Sequence, residues 1–406
     1  MDPVTHGITG ALIGKGFFSR RGARVAIFAA TLGAVFPDVD IFVDAVSNDP
    51  LRLARYHRGF THSFLGLPLF ALALAWLTRL GVKFLAKWRN SSDLDCPSFG
   101  ILFLIYSVGI ASHILLDGLT SFGTRIWNPV SRDRAAWDFL FIVDFTLTAL
   151  VLLPQVITWV YNDSHGWANR AGKMWGFFTV LSFGVWSLAR AADFPYSPRI
   201  VAISSLIFAA LFFLPGRNDW GMRVGRARWC QAGFCVVCAY ILACGVAHHL
   251  AMARVQSFAA SRQLIVEKIG ALPLPPSLLE WNGLIATSSG VYQSEFSLLD
   301  SSAPAFRFLA NSNSNRFTAE AADLEPVRTY LWFARFPVMR YVQRGDANIV
   351  EYADPRFFAG SGQEPIPFSF EVTFDSQGKL IDLGWLPHGL RLPHTRADSP
   401  PPESSP

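Results

Sequence analysis

Apolar residues along this chain fall in blocks of about 17–22 up to residue 250 and thin out afterwards, and blocks of that length can cross a hydrocarbon core. The clear ones run over 61–80, 99–121, 139–161, 174–190, 200–215 and 229–250. Two earlier segments are shorter or more polar. Residues 4–18 read as a Gly-rich helix, and 25–46 as an apolar stretch interrupted by Pro37, Asp38, Asp40 and Asp44. Both are expected to be buried against the other spans, where interrupted helices are tolerated.

After the last block the pattern changes. A polar helix is expected over 252–270, followed by Ala271-Leu-Pro-Leu-Pro-Pro276 as a linker. Strand-like runs follow at Trp281–Thr287, Tyr292–Leu299, Asn348–Tyr352 and Phe368–Phe374. Val327–Val342 reads as a helix with a break at Pro337, and Asp375-Ser-Gln-Gly378 as a turn between strands. Thr395–Pro406 is rich in Pro and Ser and is expected to be disordered. The fold class predicted is mainly α: a polytopic helical membrane domain over 1–250, a helix and Pro-rich linker over 251–276, and a soluble α+β domain over 277–394 with a tail from 395 to 406.

Composition agrees. Only 16% of the 406 residues are charged, against roughly 25% in soluble proteins. The start lacks a basic segment and a small-residue cleavage site, so insertion is expected through uncleaved helices. Four of the five cysteines, Cys230, Cys235, Cys238 and Cys244, lie in the last apolar block. Cys235-Val-Val-Cys238 has redox or zinc spacing but no polar context, and reads as part of an apolar helix.

The net charge of +5 sits in short loops, which reads as membrane topology and not as nucleic-acid binding. If eight segments cross, the side that holds Arg20, Arg21 and Arg24 collects twelve counted Lys and Arg residues, and the other side eight. The first side is then cytoplasmic, and the C-terminal domain lies on the outer, periplasmic-type side of an inner membrane. The same count puts His6, Asp38, Asp40, His57, His62, His113, Asp117, Asp138 and Asp144 near the outer face. His248 and His249 read as interfacial, His165 as a loop residue and Asp193 as solvated.

Ionisable groups in apolar segments are costly and mark functional sites by default. His113 and Asp117 are four apart, on one helix face, so an imidazole and a carboxylate could reach one ion or hydrogen-bond each other. His57 and His62 do not align on a helix. They straddle a loop-to-helix junction, with Gly59 expected to give the bend and Thr61 the cap. Asp38 and Asp40 follow Pro37 and, in extended or kinked backbone, would point to one side, to bridge two metals or to combine ligand and general base. The alternative is a solvated helix end. Imidazole and carboxylate without thiolate suit Zn²⁺, Mn²⁺ or Fe²⁺. Arg58, Arg125 and Arg132 stand beside these groups and could grip phosphate or lipid headgroups.

Together the motifs resemble a known family. Asp2-Pro-Val-Thr-His6-Gly-Ile-Thr-Gly10, Phe36-Pro-Asp-Val-Asp40, His57-Arg-Gly-Phe-Thr-His62-Ser63, His113-Ile-Leu-Leu-Asp117, Trp127-Asn-Pro-Val-Ser131 and Phe141-Ile-Val-Asp144 are similar to the membrane-bound, metal-dependent hydrolases related to a LexA-regulated inner-membrane protein. That family is distantly similar to zinc-dependent phospholipase C. The resemblance covers about residues 1–160 and implies His6, Asp38, His57, His62, His113 and Asp117 as ligands of a divalent metal, zinc first, with Asp40 and Asp144 as weaker additions. Where the family has Asp-Pro, this chain has Asp144-Phe145.

The function expected is hydrolysis of an amphipathic substrate or phosphoester at the outer face. Asp40 or Asp117 would orient water whose pKa the metal lowers, and Arg58 would clamp the substrate. The alternative is a non-enzymatic membrane protein with a structural metal or polar core and a partner-binding C-terminal domain. Membrane lipids are the expected partners, without nucleic acid.

Overall fold

A computed structural model describes residues 1–406 except 20–21, 46–50, 90–94, 192–196, 359–364, 393–394 and 397–406. Arg20, Arg21, Asp193 and most of the Pro/Ser-rich tail therefore lie outside the described residues.

The membrane part is built from α1 (Pro3–Phe17), α2 (Ala23–Val35), a 3-10 turn at Phe36–Ala45, the short α3 (Arg52–Arg55), α4 (Leu67–Trp88), α5 (Phe99–Gly118), α6 (Phe145–Val160), α7 (Trp167–Ala191), α8 (Arg199–Phe213), α9 (Trp220–Val224) and α10 (Arg226–Ser261). Among the described residues, five helical stretches are long and apolar enough to cross a membrane: 23–42, 67–88, 99–118, 199–217 and 226–261. Helix α6 is apolar but shorter.

Helices α1, α2 and α5 pack backbone to backbone. A Cβ on Gly10 would lie 2.4 Å from the Ala30 carbonyl oxygen, and one on Gly109 2.8 Å from the same atom. Small residues allow this approach, the usual basis of tight helix packing in a membrane. The close fit registers three positions, each one helical turn along from a contact: His6 before Gly10, Ala34 after Ala30 and His113 after Gly109.

The C-terminal domain holds two antiparallel sheets, as the α+β expectation requires. The first has the order β1-β2-β3-β4-β9, with β1 Lys268–Leu274, β2 Glu280–Thr287, β3 Gly290–Ser297, β4 Arg307–Ala310 and β9 Thr395–Arg396. The second has the order β5-β6-β7-β8, with β5 Val338–Arg344, β6 Ala347–Ala353, β7 Phe370–Phe374 and β8 Leu380–Trp385. Helices α11 (Arg316–Asp323) and α12 (Glu325–Phe333) pack on the second sheet.

Four local expectations are corrected. The last apolar block and the polar helix after it are one 36-residue helix, α10, because the Ala-rich stretch after 250 contains no breaker. The expected linker from Ala271 is largely strand β1, which tolerates Pro273 because it is a sheet edge. Helix α12 ends at Phe333, and the β-branched and aromatic run after Pro337 forms β5. Thr395 and Arg396, placed in a disordered tail, pair with Phe308 and Arg307 as β9.

The two parts share packed surfaces. Ala247, Ala251, Val255 and Ala259 of α10 pack against Trp281, Ile285, Phe296 and Phe306. Arg335 donates two hydrogen bonds to Asp138, of 2.7 and 2.8 Å.

Candidate metal centre

Asp38, His62, His113 and Asp117 converge from three places in the chain. Each offers one ligand atom, and the four atoms lie within 4.8 Å of one another. Asp38 comes from the 3-10 turn after α2, His62 from the turn Phe60–His62 ahead of α4, and His113 and Asp117 from one face of α5. All four are buried, with His62, His113 and Asp117 at 0% exposure.

Partners fix both ring tautomers. The Ala34 carbonyl can only accept, so His113 Nδ1 donates to it at 2.6 Å. Thr61 Oγ1 donates to Asp40 Oδ2 at 3.1 Å, so His62 Nδ1 donates to Thr61 Oγ1 at 3.0 Å, with Asp40 Oδ2 at 3.2 Å. The two Nε2 atoms then face each other at 3.0 Å. Two lone pairs do not stay at that distance without a cation or a proton between them. Burial opposes charge on His62, but the carboxylates of Asp117, Asp38 and Asp40 around its ring overcome it and raise its pKa to about 10. Asp38 Oδ2 and Asp117 Oδ2 are buried without a hydrogen bond, although Asp117 Oδ2 is 3.3 Å from His62 Nε2 and 3.4 Å from His113 Nε2. Orphaned carboxylate oxygens are costly in an apolar interior. Two imidazole nitrogens and two carboxylates are a donor set that could hold a divalent metal ion.

The other expected ligands stand around this group. His6 stacks on His113, ring centroids 3.6 Å apart, and its Nε2 is 3.2 Å from Asp117 Oδ1, while its Nδ1 is buried without a partner. The Met1 amino nitrogen also contacts Asp117 Oδ1. His57 lies outside the four; its Nδ1 is 2.9 Å from Asp40 Oδ1, and at 14% its side chain is the most exposed of these histidines.

Asp38 and Asp40 lie on a 3-10 turn, not in extended backbone, and approach His62 from opposite ring nitrogens. Asp40 is fully engaged, accepting also from the Arg58 backbone N–H at 2.9 Å. Its geometry is that of a group orienting ligands from behind, a common partner of metal-bound imidazole. Thr61 does not cap α4, whose N-cap is Gly66; it bridges Asp40 and His62. Gly59 has φ −91°, and its smallness serves a close approach: a Cβ there would meet the Arg125 Nη2 at 2.8 Å.

Arg58 is buried, with φ +58°, and its guanidinium reaches Asp117 Oδ1 at 2.9 Å and Thr120 Oγ1 at 3.0 Å. Arg132 is exposed. Asp144 is the N-cap of α6 and accepts from Tyr240 and Ser277 hydroxyls, a structural use of the residue. Sequence reasoning overlooked Arg134. Burial first, then the charges of Arg125, Arg356 and Arg58, push its guanidinium pKa well below the ordinary value. No local motif marks Arg134, because its partners are far away in the chain.

Fold and cluster together define a polytopic helical membrane protein with a buried His/Asp constellation near one end of its helices. More particularly, residues 1–194 match the family model described as YdjM inner membrane protein. The match contains every His and Asp of the cluster and leaves out α8, α10 and both sheets. No curated protein and no solved structure matches the chain.

Proposed function

We propose that the chain is a metal-dependent hydrolase of the inner membrane, acting on a phosphoester or another amphipathic substrate at the outer face. The observation that carries this reading is the pair of facing Nε2 atoms beside two orphaned carboxylate oxygens, a constellation that a divalent cation completes. Zinc suits the donors best, with two nitrogens and two oxygens. Bound there, a divalent metal supplies Lewis-acid polarisation and a lowered pKa for water.

The chain's own residues supply the rest. Asp38, His62, His113 and Asp117 hold the ion, and His6 shields it from one side. Asp40 fixes the rings of His57 and His62. His57, the histidine with partial access, is the group to exchange a proton with substrate. Arg58 offers positive charge to a phosphoryl group, held in place by Asp117 and Thr120. The loop-charge asymmetry supports a periplasmic position for the C-terminal domain, and the place of the cluster at the ends of α2 and α5 supports lipid-like substrates.

One observation favours a second reading. All four ligands are protein side chains and all are buried, so closed coordination with a structural role fits as well. Metal analysis of the purified chain, with His113→Ala beside it, separates the cases. A stoichiometric metal lost in His113→Ala, together with phosphodiester hydrolysis lost in the same variant, is the expected outcome. Metal without hydrolysis would leave the structural reading. Absence of metal in the wild type would end both.

A further inference from the structure

The segment Leu51–Arg58 carries His57 and Arg58 and is gripped from both sides. Leu51 is fully buried among Ala321, Val327, Tyr330 and other core residues of the C-terminal domain. Ala54 packs with Phe122, Phe333 and Phe357. Arg55 pairs with Glu325 at 2.5 Å.

The carbonyls of this segment have a common set of donors. Ala54 O accepts from Arg134 Nη2 at 2.6 Å, and Arg55 O and Tyr56 O accept from Arg125 Nη2 at 2.7 and 3.2 Å. His57 O lies 3.5 Å from Arg134 Nη2, and Arg58 O accepts from the Arg125 backbone N–H at 3.2 Å. Five successive carbonyls thus depend on two arginines.

The arginines in turn are covered by aromatic rings. The Arg134 guanidinium lies 5.1 Å from the rings of both Trp332 and Phe333, and Arg125 lies 5.7 Å from Trp332. Such faces stabilise a cation without competing for its donors. Among the described residues, no ion pair takes up either guanidinium.

We propose that Arg125 and Arg134 are positioning residues, latched by Trp332 and Phe333, through which the C-terminal domain sets His57 and Arg58 against Asp40 and Asp117. The latch gives the C-terminal domain a part in the site, which is completed from the C-terminal side. Its consequence for metal and substrate rests on the hydrolase reading, whereas the latch itself does not.

The test uses the full chain in detergent, with Trp332→Ala, Trp332→Phe and Arg134→Lys beside the wild type. Trp332→Ala removes the ring; Trp332→Phe keeps an aromatic face; Arg134→Lys keeps the charge but loses the fork whose Nη2 serves the Ala54 carbonyl and whose Nη1 serves that of Gly123. Amide hydrogen exchange over 54–62 should rise roughly tenfold in Trp332→Ala and Arg134→Lys, return toward wild type in Trp332→Phe, and stay unchanged over α5 and α10. Zinc affinity should fall roughly 10- to 100-fold with it, as for loss of other groups that orient ligands. Unchanged exchange over 54–62 in both disruptive variants would overturn the latch. If Trp332→Ala fails to fold, Arg134→Lys against Trp332→Phe decides. If the wild type binds no zinc, the hydrolase reading fails while the exchange result still decides the latch.

Discussion

Two regions of the membrane part use glycine and burial in opposite ways. Around α1, α2 and α5, glycines press backbone against backbone, and the buried set includes His6, His113 and Asp117. In α7, Gly172, Gly176 and Gly184 would each place a Cβ in open space, and the apolar window of α8 is only 17% buried. The first region is built to hold expensive groups in one geometry. The second presents apolar surface outward, as a lipid-facing element does. Ionisable residues inside a membrane part are tolerated where neighbours fix and partner them, and here the tight packing sits beside the ionisable residues.

The comparison breaks most sharply at Asp117. Asp117→Ala removes the partner of Arg58 and a donor of the cluster, leaving a buried guanidinium uncompensated. A loss of about 3–5 kcal/mol is expected. Thermal unfolding in detergent checks it, with Ser204→Ala on α8 as the control. Among the described residues Ser204 bonds only its own helix, to the Ile200 carbonyl, so a shift there comparable to Asp117→Ala would erase the distinction between the regions.

A smaller effect is expected where the C-terminal domain meets the membrane part. Asp138 is 4% exposed and accepts both bonds from Arg335, so Arg335→Ala leaves a buried carboxylate with lost partners. Charged hydrogen bonds of this kind contribute about 1.5–3 kcal/mol. Arg335→Ala should make the C-terminal domain more protease-sensitive while the helices keep their circular dichroism. Equal loss in both parts would mean that the two do not unfold separately.

Much of this contrast is legible in the chain, and its limits are physical. The helices announce themselves because apolar length is a local property, and His113 and Asp117 announce theirs because four residues is one helical turn. The His62 pairing with Asp38 and Asp40 needs the 3-10 turn, which Pro37 hints at but does not specify. The exchange of extended backbone for that turn is why the two aspartates serve different nitrogens. The grip of Arg125 and Arg134 on residues 54–58 leaves no mark in spacing, since the donors lie about seventy to eighty residues beyond their acceptors. Strand β1 is hidden for a different reason: its Pro273, with Pro275 and Pro276 just after it, reads as linker until the strand's place at a sheet edge is known.

The finest test of the comparison lies in the glycines themselves. A Cβ on Gly109 would meet Ala30 O at 2.8 Å, Ala34 N at 3.0 Å and the Gly33 carbonyl carbon at 3.1 Å, all backbone atoms that no rotamer change can move. Gly109→Ala must therefore part α2 from α5, and overpacking of this kind costs about 1–3 kcal/mol. The displaced Ala34 carbonyl is the acceptor of His113 Nδ1, so metal affinity should fall along with stability. Gly176→Ala meets no neighbour within 4 Å and should stabilise α7 by about 0.5–1 kcal/mol through restricted backbone freedom. Opposite signs for one identical substitution would show packing, not helix propensity, to be what separates the regions. Equal signs would mean that α2 and α5 are free to move apart, and that the register holding His113 over the cluster is looser than the backbone contacts imply.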